Sequence, residues 1–167
     1  MARPKPLTVV VAAAVILLVG AGLTAVRWHR AENDSGLDRA HARDTVLVRA
    51  QDAAVQMSTL DYRSPDKASA SWKRVATGDL YKSLVDGKND YQQLIVAGKV
   101  ITTAKTTGSA VQSLAEGNAH AVVLVGLDVT VTPAEGQPSV EHERLVLTMT
   151  HTPTGWKAAA MEPVASS

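Results

Sequence analysis

The stretch Ala119-His120-Ala121-Val122-Val123-Leu124-Val125-Gly126-Leu127-Asp128-Val129-Thr130-Val131 decides the fold class. Ala121, Val123, Val125, Leu127, Val129 and Val131 recur at every second position, and His120, Gly126, Asp128, Thr130 and Thr132 fall between them. Successive side chains of a strand point to opposite faces, so this alternation predicts a half-buried β-strand with its odd-numbered residues inward.

The flanking segments read as its partners. Val100 to about Leu114 is rich in Thr and Val, with an expected interruption near Gly108, and Glu116-Gly117-Asn118 makes the turn between the two strands. Downstream, Pro133–Pro138 connects to a strand over Val140–His151, with Leu145, Leu147 and Met149 on one face. Thr152-Pro153-Thr154-Gly155 then turns the chain into a closing strand, Trp156–Val164. Odd positions carry the core face in both central strands, so paired residue numbers should sum to about 270. His120 then lies by Thr150 and His142 by Asp128, with about eight residues, or roughly 26 Å, between the two histidines.

Helices come first in the chain. One is expected from about Asp38 to Asp61, with Leu47, Ala50, Ala54, Met57 and Leu60 forming an apolar stripe at spacings of three and four. Ser64-Pro65-Asp66 is a helix start, with a hydroxyl to cap, Pro at the first helical position and an acid in the first turn. Ala68, Trp72 and Val75 mark the buried side of this helix, which should stop at Thr77-Gly78. Asp79 can cap another, in which Leu80, Leu84, Gly87, Tyr91 and Leu94 keep one rhythm as far as about Ala97; a break at Asp86-Gly87 is the alternative. Helices followed by four antiparallel strands with short links make an α+β domain, helices on one sheet face.

Leu7 to Val26 is an unbroken apolar run of 20 residues. As a helix it would measure about 30 Å, the thickness of a bilayer's hydrocarbon core. A cleaved signal peptide has a shorter core, and the best cleavage triplet, Gly20-Ala21-Gly22, lies inside the run, so a retained transmembrane anchor is expected. Ala31 to Gly36 is polar and contains a sequon, Asn33-Asp34-Ser35, of a kind that arises often by chance. The net charge of +1 conceals an asymmetry, because Arg3, Lys5, Arg27 and Arg30 precede the first acid. The remaining 13 bases face 16 acids, and a mildly acidic domain lacks the footprint of a nucleic-acid binder. Lys and Arg flanking the anchor lean weakly towards a cytoplasmic domain.

Candidate chemistry is sparse. The chain has no cysteine, which excludes a disulfide framework, a thiol nucleophile and a cysteine-rich zinc site. Strand parity spreads His120, His142 and His151 over two sheet faces, so no metal site is expected from them. Asp128 with His142 or Arg144 reads as an exposed cross-strand pair, and Glu141-His142-Glu143 as a charged strand edge. Ser64 and Lys67 have the spacing of a serine–lysine motif, but helix capping accounts for these residues and no companion motif accompanies them. No catalytic, cofactor-binding or metal-binding residue is assigned.

Leu60-Asp61-Tyr62, Thr77-Gly78-Asp79-Leu80, the strand Ala119–Val131 and Thr154-Gly155-Trp156-Lys157, in this order behind an Ala/Val-rich anchor, resemble the Mce-associated membrane proteins of actinobacteria. The resemblance implies a cone-like fold, with helices against a curved four-stranded antiparallel sheet, similar to nuclear transport factor two and to periplasmic domains of type IV secretion assembly factors. It further implies a plasma-membrane protein with an extracytoplasmic C-terminal domain, against the weak charge count. The domain plan is then a short cytoplasmic tail over 1–6, a transmembrane helix over 7–26, a juxtamembrane linker over 27–37 and an extracytoplasmic α+β domain over 38–167. The implied role is a non-enzymatic accessory protein that assembles or stabilises an Mce-type lipid or sterol importer, with permease or substrate-binding subunits as partners. An alternative is a lipid- or small-molecule-binding module, its pocket lined by Val123, Val125, Leu127, Leu145, Leu147 and Met149. An enzyme would need an inward acid or base, and only His151, near one strand end, has that parity.

Overall fold

The computed structural model describes residues 36–164. The expected cytoplasmic tail, the transmembrane helix, the sequon and all but the last two residues of the linker lie outside these residues. Among the described residues, no helix is long and apolar enough to cross a membrane. The chain divides into two units, residues 1–41 and 42–167. The described part of the first, residues 36–41, is helical. The second holds the sheet and the helices that pack on it.

Helix α1 covers residues 36–57, so it is already formed at Gly36 and Leu37, which the sequence pattern assigned to the linker. From Ala42 onward it presents Val46, Ala50, Ala53 and Ala54 to the sheet, all at 0–1% exposure. Leu47 is only half-buried, so the apolar stripe is rotated from the expected one. The alanines let the helix backbone approach the sheet closely. Two side chains fasten the contact: the Arg43 guanidinium donates to the Val111 carbonyl, and the Gln51 amide donates to the Ser109 hydroxyl.

The expected helix end at Asp61 is corrected. Ser58 N–H donates to the Ala54 carbonyl, and the chain then extends into a short strand, β1 (Leu60–Asp61). Leu60 pairs with Thr102 and Asp61 with Ile101. The spacing of three between Met57 and Leu60 imitates another helical turn, which is why periodicity alone extends the helix.

Helix α2 (Pro65–Val75) starts on Pro65 with Asp66 in its first turn, as expected, but the Ser64 hydroxyl makes no capping hydrogen bond. Ala68 lies on its buried side, and so does Ser69, whose hydroxyl donates to the Pro65 carbonyl over 3.1 Å. After Val75 the chain extends: Thr77 N–H donates to the Ala158 carbonyl at 2.8 Å. Helix α3 (Gly78–Asp86) follows, with Asp79 inside its first turn rather than capping it. The break alternative holds at Gly87, and α4 (Lys88–Gly98) begins just beyond. The break resets the helical phase: Leu84 and Ile95 are buried, whereas Leu94 is 69% exposed.

The sheet has five strands, not four, curled and antiparallel in the order β1-β2-β3-β4-β5; β2 to β5 form a meander, and three helices separate β1 from β2. Strand β2 (Val100–Leu114) runs through Gly108, and the expected interruption is a bulge between Thr106 and Gly108. A second irregularity lies between Val111 and Ser113. Gly117 and Asn118, with φ of 72° and 53°, turn the chain into β3 (His120–Pro133). Strand β4 (Ser139–Thr152) pairs with β3 at the expected register, from His120↔Thr150 to Val131↔Ser139. Strand β5 (Gly155–Pro163) closes the sheet. The inward residues of β3 and β4 form one core with α1, Trp156 and Ala158.

Candidate functional site

A groove of ≈ 610 Å³ opens between the C-terminal end of α1, β1, the start of β2 and one face of α2. Its apolar lining is Val55, Leu60, Ala68 and Ile101, and no aromatic ring lines it. Ser64, Lys67, Ser71 and Arg74 come from α2 and the residue before it, at spacings of three, four and three. Those spacings place them on one helical face. The elements are tied across the groove, where the Ser71 hydroxyl donates to Gln56 Oε1 at 2.8 Å and the Thr102 hydroxyl donates to the Ser58 carbonyl at 2.7 Å.

Asp61 is the acid of this lining. Arg63 donates to both of its carboxylate oxygens, from Nε at 2.9 Å and from Nη2 of the guanidinium at 2.7 Å, and the Arg63 backbone N–H donates as well. These bonds, the side-chain ones foremost, lower the Asp61 pKa to about 2 and raise that of Arg63. Asp66, held by the Gln92 amide and then by Lys88, is also lowered. Among the described residues, no ion pair engages Lys67 or Arg74.

A smaller groove of ≈ 190 Å³ adjoins this one, sharing Gln56 and Arg74 and adding Arg49 and Lys157. Two further troughs lie elsewhere on the sheet, one of ≈ 440 Å³ and mainly apolar, the other of ≈ 520 Å³ and bordered by His142 and Glu143, and they meet at Arg144, Leu145 and Val164.

The histidines stand apart. His120 Nδ1 is 3.3 Å from the Thr150 hydroxyl, and His142 Nδ1 is 2.6 Å from Asp128. His151 is exposed and sets its ring edge-on to Trp156 with centroids 5.1 Å apart. Glu141 and Glu143, on β4, pair opposite Val129 and Leu127 of β3. Among the described residues, no group of three or more His, Asp or Glu side chains could hold a metal ion. Ser64 and Lys67 do share the groove. The six inward residues named for an interior pocket are 0–5% exposed and pack into the core with α1. The ≈ 610 Å³ groove lies lateral to this core. Sequence reading missed it because its walls come from separate segments; the polar stripe Ser64, Lys67, Ser71 and Arg74 was the available signal.

The fold is shared with solved domains of secretion systems. An IcmL-like type IV secretion system protein from Legionella pneumophila matches at a TM-score of 0.59 and 15% identity, over 75% of this chain and 95% of that one. The periplasmic domain of DotI matches at 0.59 and 15%, over 72% and 94%. CagV, a VirB8 homolog from Helicobacter pylori, matches at 0.56 and 11%, over 74% and 99%. These likenesses show the fold. No curated protein matches the chain. The family model described as uncharacterized protein Rv1363c/MT1408-like spans residues 6–165, and the chain belongs to that family.

Proposed function

We propose that this protein is a membrane-anchored accessory subunit that holds other components of a membrane complex together. The observation that carries this reading is the filled interior. The inward faces of β3 and β4 present only apolar side chains along their central lengths, closed by Val46, Ala50, Ala53 and Ala54 of α1. A domain built this way offers surfaces rather than a reaction chamber. Its likeness in fold to secretion-system proteins, one described as a periplasmic domain, supports the same reading. In the finer form of the proposal, residues 7–26 anchor the chain in the plasma membrane, residues 38–167 are extracytoplasmic, and the complex is an Mce-type lipid or sterol importer. The resemblance of Thr77-Gly78-Asp79-Leu80 and Thr154-Gly155-Trp156-Lys157 to Mce-associated proteins motivates that form.

The test is purification of the full-length tagged chain from its own membranes in mild detergent, with mass spectrometry of what accompanies it. Permease or substrate-binding subunits at near-stoichiometric yield are expected. A chain that emerges alone overturns the proposal.

A further inference from the structure

Three cations from three elements converge on the smaller groove. Arg49 comes from α1, Arg74 from the last turn of α2 and Lys157 from β5. Asp52 is the one acid of this lining, and its Oδ1 accepts from the Gln56 amide at 2.8 Å. Among the described residues, none of the three cations is in an ion pair. Basic side chains in a helix's last turn complement its dipole, which accounts for Arg74. Nothing of that kind accounts for Arg49, in the middle of α1, or for Lys157, opposite Thr150 on the β4–β5 ladder. The cluster also runs against the chain around it, in which 16 acids face 13 bases after residue 30.

The walls are fixed to one another. Thr77 N–H, just past α2, donates to the Ala158 carbonyl of β5, and Ala76 forms a bridge with Ala158. Ala53 and Trp156, both buried, floor the groove. At ≈ 190 Å³ it is smaller than the roughly 300–1,000 Å³ of small-molecule sites, and it has room for a carboxylate side chain or two. Through Gln56 and Arg74 it continues into the ≈ 610 Å³ groove. Thr59, Ser64, Ser71, Thr102 and Thr103 line that part with hydroxyls, which suit peptide N–H and C=O groups better than an apolar chain. Its own charge is largely balanced, since Asp61 is bonded to Arg63 and also feels Lys67. Positive charge at one end and hydroxyls along the rest make a trench for a chain rather than a socket for a single ion.

We propose that this trench docks an extended acidic segment of a partner subunit, its carboxylates held at Arg49, Arg74 and Lys157 and its main chain following the hydroxyl-lined wall. The inference deepens the accessory reading and rests on it for the source of the segment. Electrostatic complementarity of this kind selects and orients a partner.

The test uses the full chain in phosphatidylcholine nanodiscs and a rhodamine-labelled octapeptide of alternating Glu and Gly, whose carboxylates share one side when extended. Binding is read by fluorescence anisotropy at about 0.15 M salt, where charges are screened beyond about 8 Å. Saturable binding is expected, at least tenfold tighter than that of the same peptide with Gln for Glu. Arg49→Glu with Lys157→Glu should weaken it at least tenfold. Lys82→Glu with Arg144→Glu, an equal change of charge outside both grooves, should leave it within twofold. If the first variant shifts the urea midpoint, Arg49→Gln with Lys157→Gln takes its place, with an expected loss of at least fivefold. No saturable binding, equal binding of the Gln peptide, or equal losses in the two charge-reversed variants would each overturn the proposal. So would displacement by inorganic phosphate as effective as that by unlabelled peptide, which would assign the groove to a free anion. Peptide binding is read on the isolated chain and the accessory role by co-purification, so either can fail without the other.

Discussion

His142 and Asp128 meet across the β3–β4 ladder with Nδ1 2.6 Å from Oδ1, the imidazole 80% exposed and the carboxylate 39%. The ladder register places them opposite each other, and both side chains reach solvent. Replacing either with Ala should change the unfolding free energy by less than about 1 kcal/mol. A double-mutant cycle in urea should give a coupling of a few tenths of a kcal/mol. A coupling well above that range would mean the pair is held far more rigidly than its exposure implies.

Leu147 and Met149 are fully buried against α1 and the neighbouring strands. Truncation of either to Ala should cost about 2–5 kcal/mol through lost burial and the cavity left behind. Leu94→Ala on α4, where the side chain is 69% exposed, should stay within about 0.5 kcal/mol. Urea unfolding midpoints compared at constant slope check both statements.

Gly87 separates α3 from α4, with φ of −88° that alanine can adopt. In an unbroken helix Gly87→Ala would stabilise by about 1 kcal/mol, but Gly87 stands between α3 and α4 as a cap of each. A Cβ there would lie 2.9 Å from the Tyr91 ring and 3.1 Å from the Ser83 carbonyl oxygen. The carbonyl is backbone and gives way only if α3 shifts. The gain should therefore not be realised, and thermal unfolding of the variant should show no rise in Tm.

Asp61 has a pKa of about 2 against an ordinary value of 3.8 because Arg63 donates to its ionised form. A depressed carboxylate contributes stability above its unfolded pKa and loses it as pH falls through the folded one. The contribution is complete above about pH 4 and fades towards pH 2, and the exposure of the pair keeps it small. Side-chain NMR titration should place the Asp61 midpoint near 2 in the native chain. In an Arg63→Ala variant, which keeps the backbone N–H bond, the midpoint should rise towards the ordinary carboxylate range; an unmoved midpoint would refute the Arg63 side chain as the main cause.

Because the chain contains no cysteine, one introduced thiol reports on sidedness without background from the protein. Ala70 is exposed on α2, and Ala70→Cys should react with a membrane-impermeant maleimide on intact cells if the domain is extracytoplasmic. Labelling only after lysis would place it on the other side and return the topology to what the flanking charges suggested.

The central hairpin was legible because strand parity has no slack. Once Val123, Val125 and Leu127 are inward, Leu145, Leu147 and Met149 must match them, and the register follows. The phase of α1 was not legible for the opposite reason. Val46, Leu47 and Val48 are consecutive, as are Ala53, Ala54 and Val55, so several stripes satisfy helical spacing equally well. Packing against the sheet selects Val46 over Leu47. Strand β1 was hidden because two residues carry no period at all. The lateral groove was hidden because residues 55–74 meet 101–103 only after β1 pairs with β2.

The strictly sequential strand order has a kinetic consequence. Each strand docks beside the one that precedes it in the chain, so no strand must thread between two already joined. From β2 to β5 the sheet can grow by successive short loop closures, which favours rapid assembly. Strand β1 and helix α1 are the exceptions, since β1 reaches β2 only across α2, α3 and α4, and Val46 and Ala50 must find strands some 70 to 100 residues later in the chain. If that long closure comes last, α1 behaves as a latch: weakening it would hasten unfolding and leave the folding rate almost untouched.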